Sequence, residues 1–127
     1  MKVYRRRTKF ASLKVDKETH DLWKQLLRLY AKALNKIAED VLKEVIDCMK
    51  RLTQHTALGT IEIQQCTQAT IPLAVRVTND VYREWEKVKV DVKLSGYNLC
   101  TAFKTCLKYV FNRYRESFER SRKPVVY

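Results

Sequence analysis

The sequence is poor in residues that interrupt regular structure, with two glycines and two prolines among 127 residues. Because glycine and proline mark turns and end helices, their scarcity favours a mainly helical chain. Long apolar runs are also lacking, and none approaches the roughly 20 residues of a membrane-spanning helix. The basic first residues lead into no apolar signal core. We therefore expect a soluble, unexported protein that works in the cytoplasm.

The four cysteines lack the spacing of a metal site. They form no CxxC pair, and the two histidines stand apart from them in the sequence. We therefore expect no metal and no cofactor. Cys100 and Cys106 fall on the apolar side of a predicted helix, where a reduced cysteine behaves as a small hydrophobe. A disulfide would require an oxidising compartment or a hyperthermophile's cytoplasm, and the sequence does not distinguish these from reduced thiols.

Positive charge dominates, because 26 lysines and arginines against 14 acidic residues give a formal net charge of +12. Such a surface attracts a polyanion, most commonly nucleic acid or an acidic membrane face. Residues 1–9 form a basic arm, and residues 115–127 form a basic tail. The acidic residues accompany no plausible nucleophile, metal set or glycine-rich phosphate loop. We therefore expect no enzymatic activity and no small-molecule substrate.

An internal repeat is the most informative feature of the chain. The segments SLKVDKETHDLW, Ser12–Trp23, and AVRVTNDVYREW, Ala74–Trp85, match without a gap at an offset of 62 positions. The same offset then aligns the apolar positions of the following helices: Ile37, Val41, Val45 and Met49 fall on Leu99, Phe103, Leu107 and Phe111. The chain therefore contains two copies of one supersecondary unit.

Each copy is predicted to be a short strand followed by two amphipathic helices. Unit 1 spans residues 10–52, a linker spans 53–70, and unit 2 spans 71–114. Asp16, Thr78 and Ser95 are candidate N-caps of helices. The segment 87–93 alternates with period two as a strand would, but its apolar spacing and its place in the repeat favour a helix.

Two connections are less regular. Residues 32–35 offer the polar break between the helices of unit 1, where no glycine is present and Ala33 stands at the expected capping position. In the linker, residues 60–64 alternate enough to form a short strand or an extended crossing.

A lone strand cannot satisfy its own backbone groups, so the two strands are expected to pair with each other, antiparallel. This pairing would bury Leu13, Val15, Val75 and Val77 against four helices. The opposite face would expose Ser12, Lys14, Ala74 and Arg76, with Phe10 and Pro72 at the next outward positions. A two-stranded ribbon fits the major groove of duplex DNA, where arginine bonds a guanine edge.

This arrangement resembles the ribbon-helix-helix family of DNA-binding regulators. The likeness is carried by SLKVDKETHDLW and AVRVTNDVYREW, each with its second helix, and covers Phe10 to about Leu52 and Ile71 to about Tyr114. Members of that family are usually homodimers with one strand per subunit. This chain is similar to a tandem, single-chain version, an intramolecular pseudo-dimer of the kind known from filamentous viruses of hyperthermophilic archaea.

The resemblance implies a sequence-specific regulator of transcription that binds double-stranded DNA in the cytoplasm. Because the two strands carry different side chains, one molecule should read a site that is not a strict palindrome. Self-association of two molecules on the DNA would restore symmetry.

The implied base-contacting residues are Ser12, Lys14, Ala74 and Arg76. The family also binds a phosphate at the N-terminus of the second helix, which the helix dipole favours. The phosphate-contacting residues that the resemblance implies are Asn35, Lys36, Ser95, Gly96, Tyr97 and Asn98. The charge of the basic arm adds Arg5, Arg6 and Arg7 as expected phosphate contacts.

The repeat and the charge leave two other functions open. A protein that coats nucleic acid without sequence preference needs only positive charge and two basic ends. A partner-binding module resembling an antitoxin would instead show an apolar face left over after both repeats have packed.

Overall fold

The computed structural model describes residues 6–54 and 61–115. It has the order β1 (Lys9–Val15), α1 (Lys17–Leu34), α2 (Ala38–Thr53), β2 (Ile71–Val77), α3 (Asn79–Leu94) and α4 (Leu99–Arg113). The predicted class, mainly helical with a two-stranded antiparallel sheet, is confirmed. Arg5 and the basic tail beyond residue 115 lie outside the described residues.

The two strands form an antiparallel ribbon with Ser12 opposite Ala74 at its centre. Its ends pair Lys9 with Val77 and Val15 with Ile71. Along both strands the side chains alternate between buried and exposed, as the period-two pattern predicted. The buried face packs on the helices, and the other face is open to solvent.

The core lies between the ribbon and the helices. The buried residues of α1 and those of α3 recur at the same helical spacing, and the offset of 62 positions aligns the two sets. They are Thr19, Trp23, Leu26 and Tyr30 in α1, and Val81, Trp85, Val88 and Val92 in α3. Phe103 of α4 joins the two halves, since its ring centroid lies 5.9 Å from that of Trp23 and 6.3 Å from that of Trp85. Residues 87–93 lie within α3 and so belong to a helix, as predicted.

The helix ends confirm the predicted N-cap positions of Asp16 and Thr78, although the Thr78 side chain makes no capping bond, and they correct a third prediction. Asp16 caps α1, and its carboxylate accepts a hydrogen bond from the Thr19 amide at 2.8 Å. The prediction that Ser95 caps the last helix is wrong. Ser95 ends α3, while Asn98 caps α4 by accepting bonds from the amides of Cys100 and Thr101. A side-chain oxygen must directly precede the first helical turn to reach these amides, and Ser95 lies three residues too early.

The break between α1 and α2 falls at residues 35–37, later than the predicted 32–35. Asn35 ends α1 with a left-handed backbone (φ 52°), a conformation that asparagine tolerates better than most residues. It therefore takes the place of the glycine that the first unit lacks.

The connection from residue 61 to 70 crosses α4 without forming a strand. It is fastened to α4: the Gln64 amide donates to Thr105 Oγ1 at 2.9 Å, and the Cys66 amide donates to Thr101 Oγ1 at 3.3 Å. Cys100 is buried, as its place on the apolar side of the helix predicted, and it forms a disulfide with Cys66, a redox state that the sequence left open. The crossing brings together two cysteines 34 residues apart, a proximity that helical periodicity could not reveal.

Cys106 fits the prediction for a buried thiol. It is buried and takes part in no disulfide, as is also true of Cys48. A hydrogen bond with Cys48, together with burial, raises the pKa of the Cys106 thiol. The Cys106 thiol is therefore less reactive than an exposed thiol, because it ionises less readily.

A buried lysine fastens the end of β1 to α4. The Lys104 side chain is 6% exposed, and its ammonium lies 3.2 Å from Asp16 Oδ2 and 3.1 Å from both Glu18 Oε2 and the Gln65 carbonyl. Burial alone would raise the pKa of Asp16, but hydrogen bonds from Thr19 and Lys104 outweigh it and hold the pKa below its usual value. The two charges therefore compensate each other inside the protein.

We expect the disulfide to stabilise the fold by roughly 4 kcal/mol, because it closes a long loop of the unfolded chain. The double variant Cys66→Ala/Cys100→Ala should therefore melt well below the wild type in thermal unfolding followed by circular dichroism. Reductant should lower the melting temperature of the wild type and leave that of the variant unchanged. Four titratable thiols in the unreduced, denatured wild type would contradict the pairing.

Removal of the Lys104 ammonium should leave the Asp16 carboxylate buried without its partner. We expect Lys104→Met to lower the free energy of unfolding by about 3–5 kcal/mol in chemical denaturation. Lys108→Met is the matched control, since it removes a partly exposed lysine from the same helix and should cost less than about 1 kcal/mol. Equal losses in the two variants would contradict the role of the buried pair.

The buried pair of Asp16 and Lys104 also predicts that the fold loses stability in acid. The pKa of Asp16 in the folded protein is below its unfolded value of about 4. Its contribution to the free energy of unfolding is therefore complete above about pH 4 and is lost as the pH falls through the folded pKa. Denaturation curves between pH 6 and pH 2 should therefore show a steeper loss for the wild type than for Lys104→Met.

Candidate nucleic-acid interface

The outer face of the ribbon, called here the ribbon face, exposes three side chains from each strand. They are Phe10, Ser12 and Lys14 from β1, and Pro72, Ala74 and Arg76 from β2. The four predicted base-contacting residues thus lie together on one surface. Neither strand contains an acidic residue, so Lys14 and Arg76 give this face a positive charge.

The register gives the ribbon face two unlike ends. Lys14 lies opposite Pro72 at one end, and Arg76 lies opposite Phe10 at the other, with Ser12 and Ala74 between them. The Arg76 guanidinium carbon lies 5.5 Å from the centre of the Phe10 ring, in a cation–π contact. The alternation of β1 predicted Phe10 on this face but no role for it, because a cross-strand contact depends on the register.

A buried carboxylate holds the end of β2. Glu39 of α2 accepts a hydrogen bond from the Thr78 amide at 2.7 Å, directly after the strand. Its other oxygen lies 3.2 Å from Nε of Arg7, whose side chain is 44% exposed. Arg7 of the basic arm is therefore tied to the protein, whereas no such contact is described for the exposed Arg6.

The turn from Ser95 to Asn98 brings the residues of the predicted phosphate site to the start of α4. Gly96 has a positive φ of 82°, as a glycine at the end of a helix often does. The amides of Gly96 and Tyr97 bond to carbonyls of α3, and Asn98 accepts from the next two amides of α4 after Leu99. None of these bonds uses the amides of Asn98 and Leu99. The first turn of α4 carries no acidic residue, so its dipole favours an anion.

The equivalent position at the start of α2 is electrostatically different. Asp40 accepts a hydrogen bond from the Ile37 amide at 3.2 Å, and Glu39 precedes it in the same first turn. The amide of Lys36 is already bonded to the Tyr30 carbonyl. The proposed phosphate contacts of Asn35 and Lys36 therefore remain a prediction, in a less favourable setting than the start of α4.

One group of described residues brings three metal-ligand types together, namely Asp16, Cys66 and Cys100. The two sulfur atoms are joined to each other, and the Asp16 carboxylate is paired with the Lys104 ammonium. This arrangement places a positive charge where a cation would need to sit, so it offers no favourable metal centre in the disulfide form.

None of the helices in the described ranges combines the length and apolarity needed to cross a bilayer. Comparison with protein-family models, curated proteins and solved structures gives no match. The resemblance to ribbon-helix-helix proteins therefore depends on the chain's own repeat and ribbon.

Proposed function

We propose that this protein is a sequence-specific regulator of transcription that inserts its β-ribbon into the major groove of double-stranded DNA. The observation that supports this most strongly is the ribbon face itself, which is exposed, lacks acidic residues and carries Lys14 and Arg76. The groove is about 12 Å wide and admits a two-stranded ribbon. The face can therefore approach base edges without rearrangement of the fold.

We infer further that the two halves of the chain act as an intramolecular pseudo-dimer. The repeat relates Ser12 to Ala74, and these two residues face each other at the centre of the ribbon. It also relates Lys14 to Arg76, and the register places them at opposite ends of the ribbon face. Exchange of the two copies would therefore reproduce the pairing, which is the geometry expected of a two-fold axis through the ribbon.

The side chains of the ribbon face supply a chemistry for reading bases. Arg76 can donate two hydrogen bonds to O6 and N7 of guanine, and Lys14 can donate to the same acceptors. Ser12 can donate or accept, and Ala74 can contact a thymine methyl group. Because the two strands carry different side chains, one molecule should recognise a site that is not a strict palindrome. Two molecules side by side would restore symmetry, so the protein is expected to self-associate on DNA.

Phosphate contacts would fix the position of the ribbon in the groove. The start of α4, with Gly96 and Asn98, is the better of the two helix N-termini for this purpose. The exposed Arg6 and the net charge of +12 add attraction that does not depend on sequence. Arg5, which lies outside the described residues, belongs to the same basic arm.

A partner-binding module is the second candidate, and it has one observation in its favour. Val90 and Leu94 lie one turn apart on α3 and are 56% and 81% exposed, whereas Arg28 and Lys32 occupy the equivalent positions in α1. Two side chains make a small apolar patch, and scattered exposed apolar residues are common. We therefore favour the DNA-binding function.

Nuclease footprinting on duplexes selected from a random pool tests the proposal. The wild type should protect a bounded site. Arg76→Ala should weaken binding to that site by about 1–3 kcal/mol and relax the preference at one base pair, since a bidentate contact with guanine is lost. Lys14→Ala should have a similar effect at the other end of the site.

Arg6→Ala is the control for charge alone. It should weaken binding to the selected site and to random duplex alike, and it should reduce the salt dependence of both. Equal losses on the two duplexes for Arg76→Ala would contradict base reading. If the wild type protected the whole duplex uniformly and neither Arg76→Ala nor Lys14→Ala changed that protection, the result would favour a protein that coats DNA without sequence preference.

A further inference from the structure

The two ends of the ribbon face differ in more than the charged residue. At one end the Arg76 guanidinium lies over the ring of Phe10, its cross-strand partner. At the other end Lys14 faces Pro72, a side chain without an aromatic ring. The repeat makes Phe10 equivalent to Pro72 and Arg76 equivalent to Lys14. The aromatic contact is therefore a property of one end, and the other end offers a matched internal control.

Phe10 is an unusual residue for a free strand surface. It is 51% exposed on a face that otherwise carries small or cationic side chains. The core does not require it there, because the adjacent Ala11 already fills the buried side of the strand. The Phe10 ring restricts the long side chain of Arg76 before any ligand is bound. Arg76 therefore loses less rotamer freedom when it binds. Part of the ring remains open to a ligand on the ribbon face.

We propose that Phe10 and Arg76 form one composite reading unit for a guanine next to a thymine. This inference rests on the proposed DNA-binding function and makes its site more specific. The Phe10 ring holds the Arg76 guanidinium for a bidentate contact with guanine O6 and N7, and its exposed edge contacts the methyl group of the neighbouring thymine. Phe10 is thus a specificity-determining residue. The Arg76 end discriminates guanine more strictly than the Lys14 end.

Competition binding with selected duplexes measures the effect. The probes are the selected site, the same site with adenine in place of the guanine at either end, and the site with uracil in place of the neighbouring thymine. Phe10→Ala should reduce discrimination of guanine over adenine about two- to fivefold at the Arg76 end, the size of an exposed cation–π contact. Discrimination at the Lys14 end should be unchanged, which also shows that the variant folds.

Two further variants separate the aromatic ring from general packing. Phe10→Tyr keeps the ring and should keep the wild-type discrimination. Pro72→Ala changes the equivalent residue at the other end and should leave discrimination at the Arg76 end unchanged. Uracil should weaken the wild type roughly fourfold, the factor for one buried methyl group, and should not weaken Phe10→Ala.

Wild-type discrimination in Phe10→Ala would overturn the positioning role. An equal effect of uracil on the wild type and on Phe10→Ala would overturn the methyl contact. If the wild type selected no sequence at all, the proposed function would fail together with this inference. That outcome differs from the others because it appears before any variant is compared.

Discussion

The pairing of β1 with β2 is the constraint on which the rest of the structure depends. A two-stranded ribbon is marginal alone, and these strands are separated by two helices and a long connection. Burial of Leu13 and Val75 against the helices turns Lys14 and Arg76 outward, because side chains alternate along a strand. A slip by one residue would reverse every side chain. The same apolar contacts that hold the fold together therefore present the charged face.

Buried ionic groups fix both ends of this ribbon. The end of β1 passes into Asp16, which is paired with Lys104 of α4, and the end of β2 passes into Thr78, whose amide is bonded to Glu39 of α2. In each case a strand from one half of the chain is held by a helix from the other half. Buried pairs of this kind add little net stability, but a wrong register would leave a charge uncompensated. These contacts lie at the two ends of the ribbon whose register brings Phe10 opposite Arg76.

The elements were predictable to the extent that they follow local periodicity. The repeat predicted both strands, their antiparallel pairing and four helices, and it favoured a helix over the strand-like pattern at residues 87–93. Other contacts between distant segments were not predictable. The bond from Cys66 to Cys100 and the burial of Lys104 depend on how the connection crosses α4. The cap by Asn98 is local, but it depends on the residue at which the first turn of α4 begins. The positions of the ribbon residues followed from alternation, whereas the contact of Phe10 with Arg76 required the register.

Methylation interference on the selected duplex tests most directly whether the ribbon enters the major groove. Methylation of guanine N7 marks the major groove, and methylation of adenine N3 marks the minor groove. We expect N7 methylation of the guanines under Arg76 and Lys14 to block binding, and N3 methylation between them to have no effect. Interference by N3 methylation alone at the centre of the site would place the protein in the minor groove and would contradict insertion of the ribbon into the major groove.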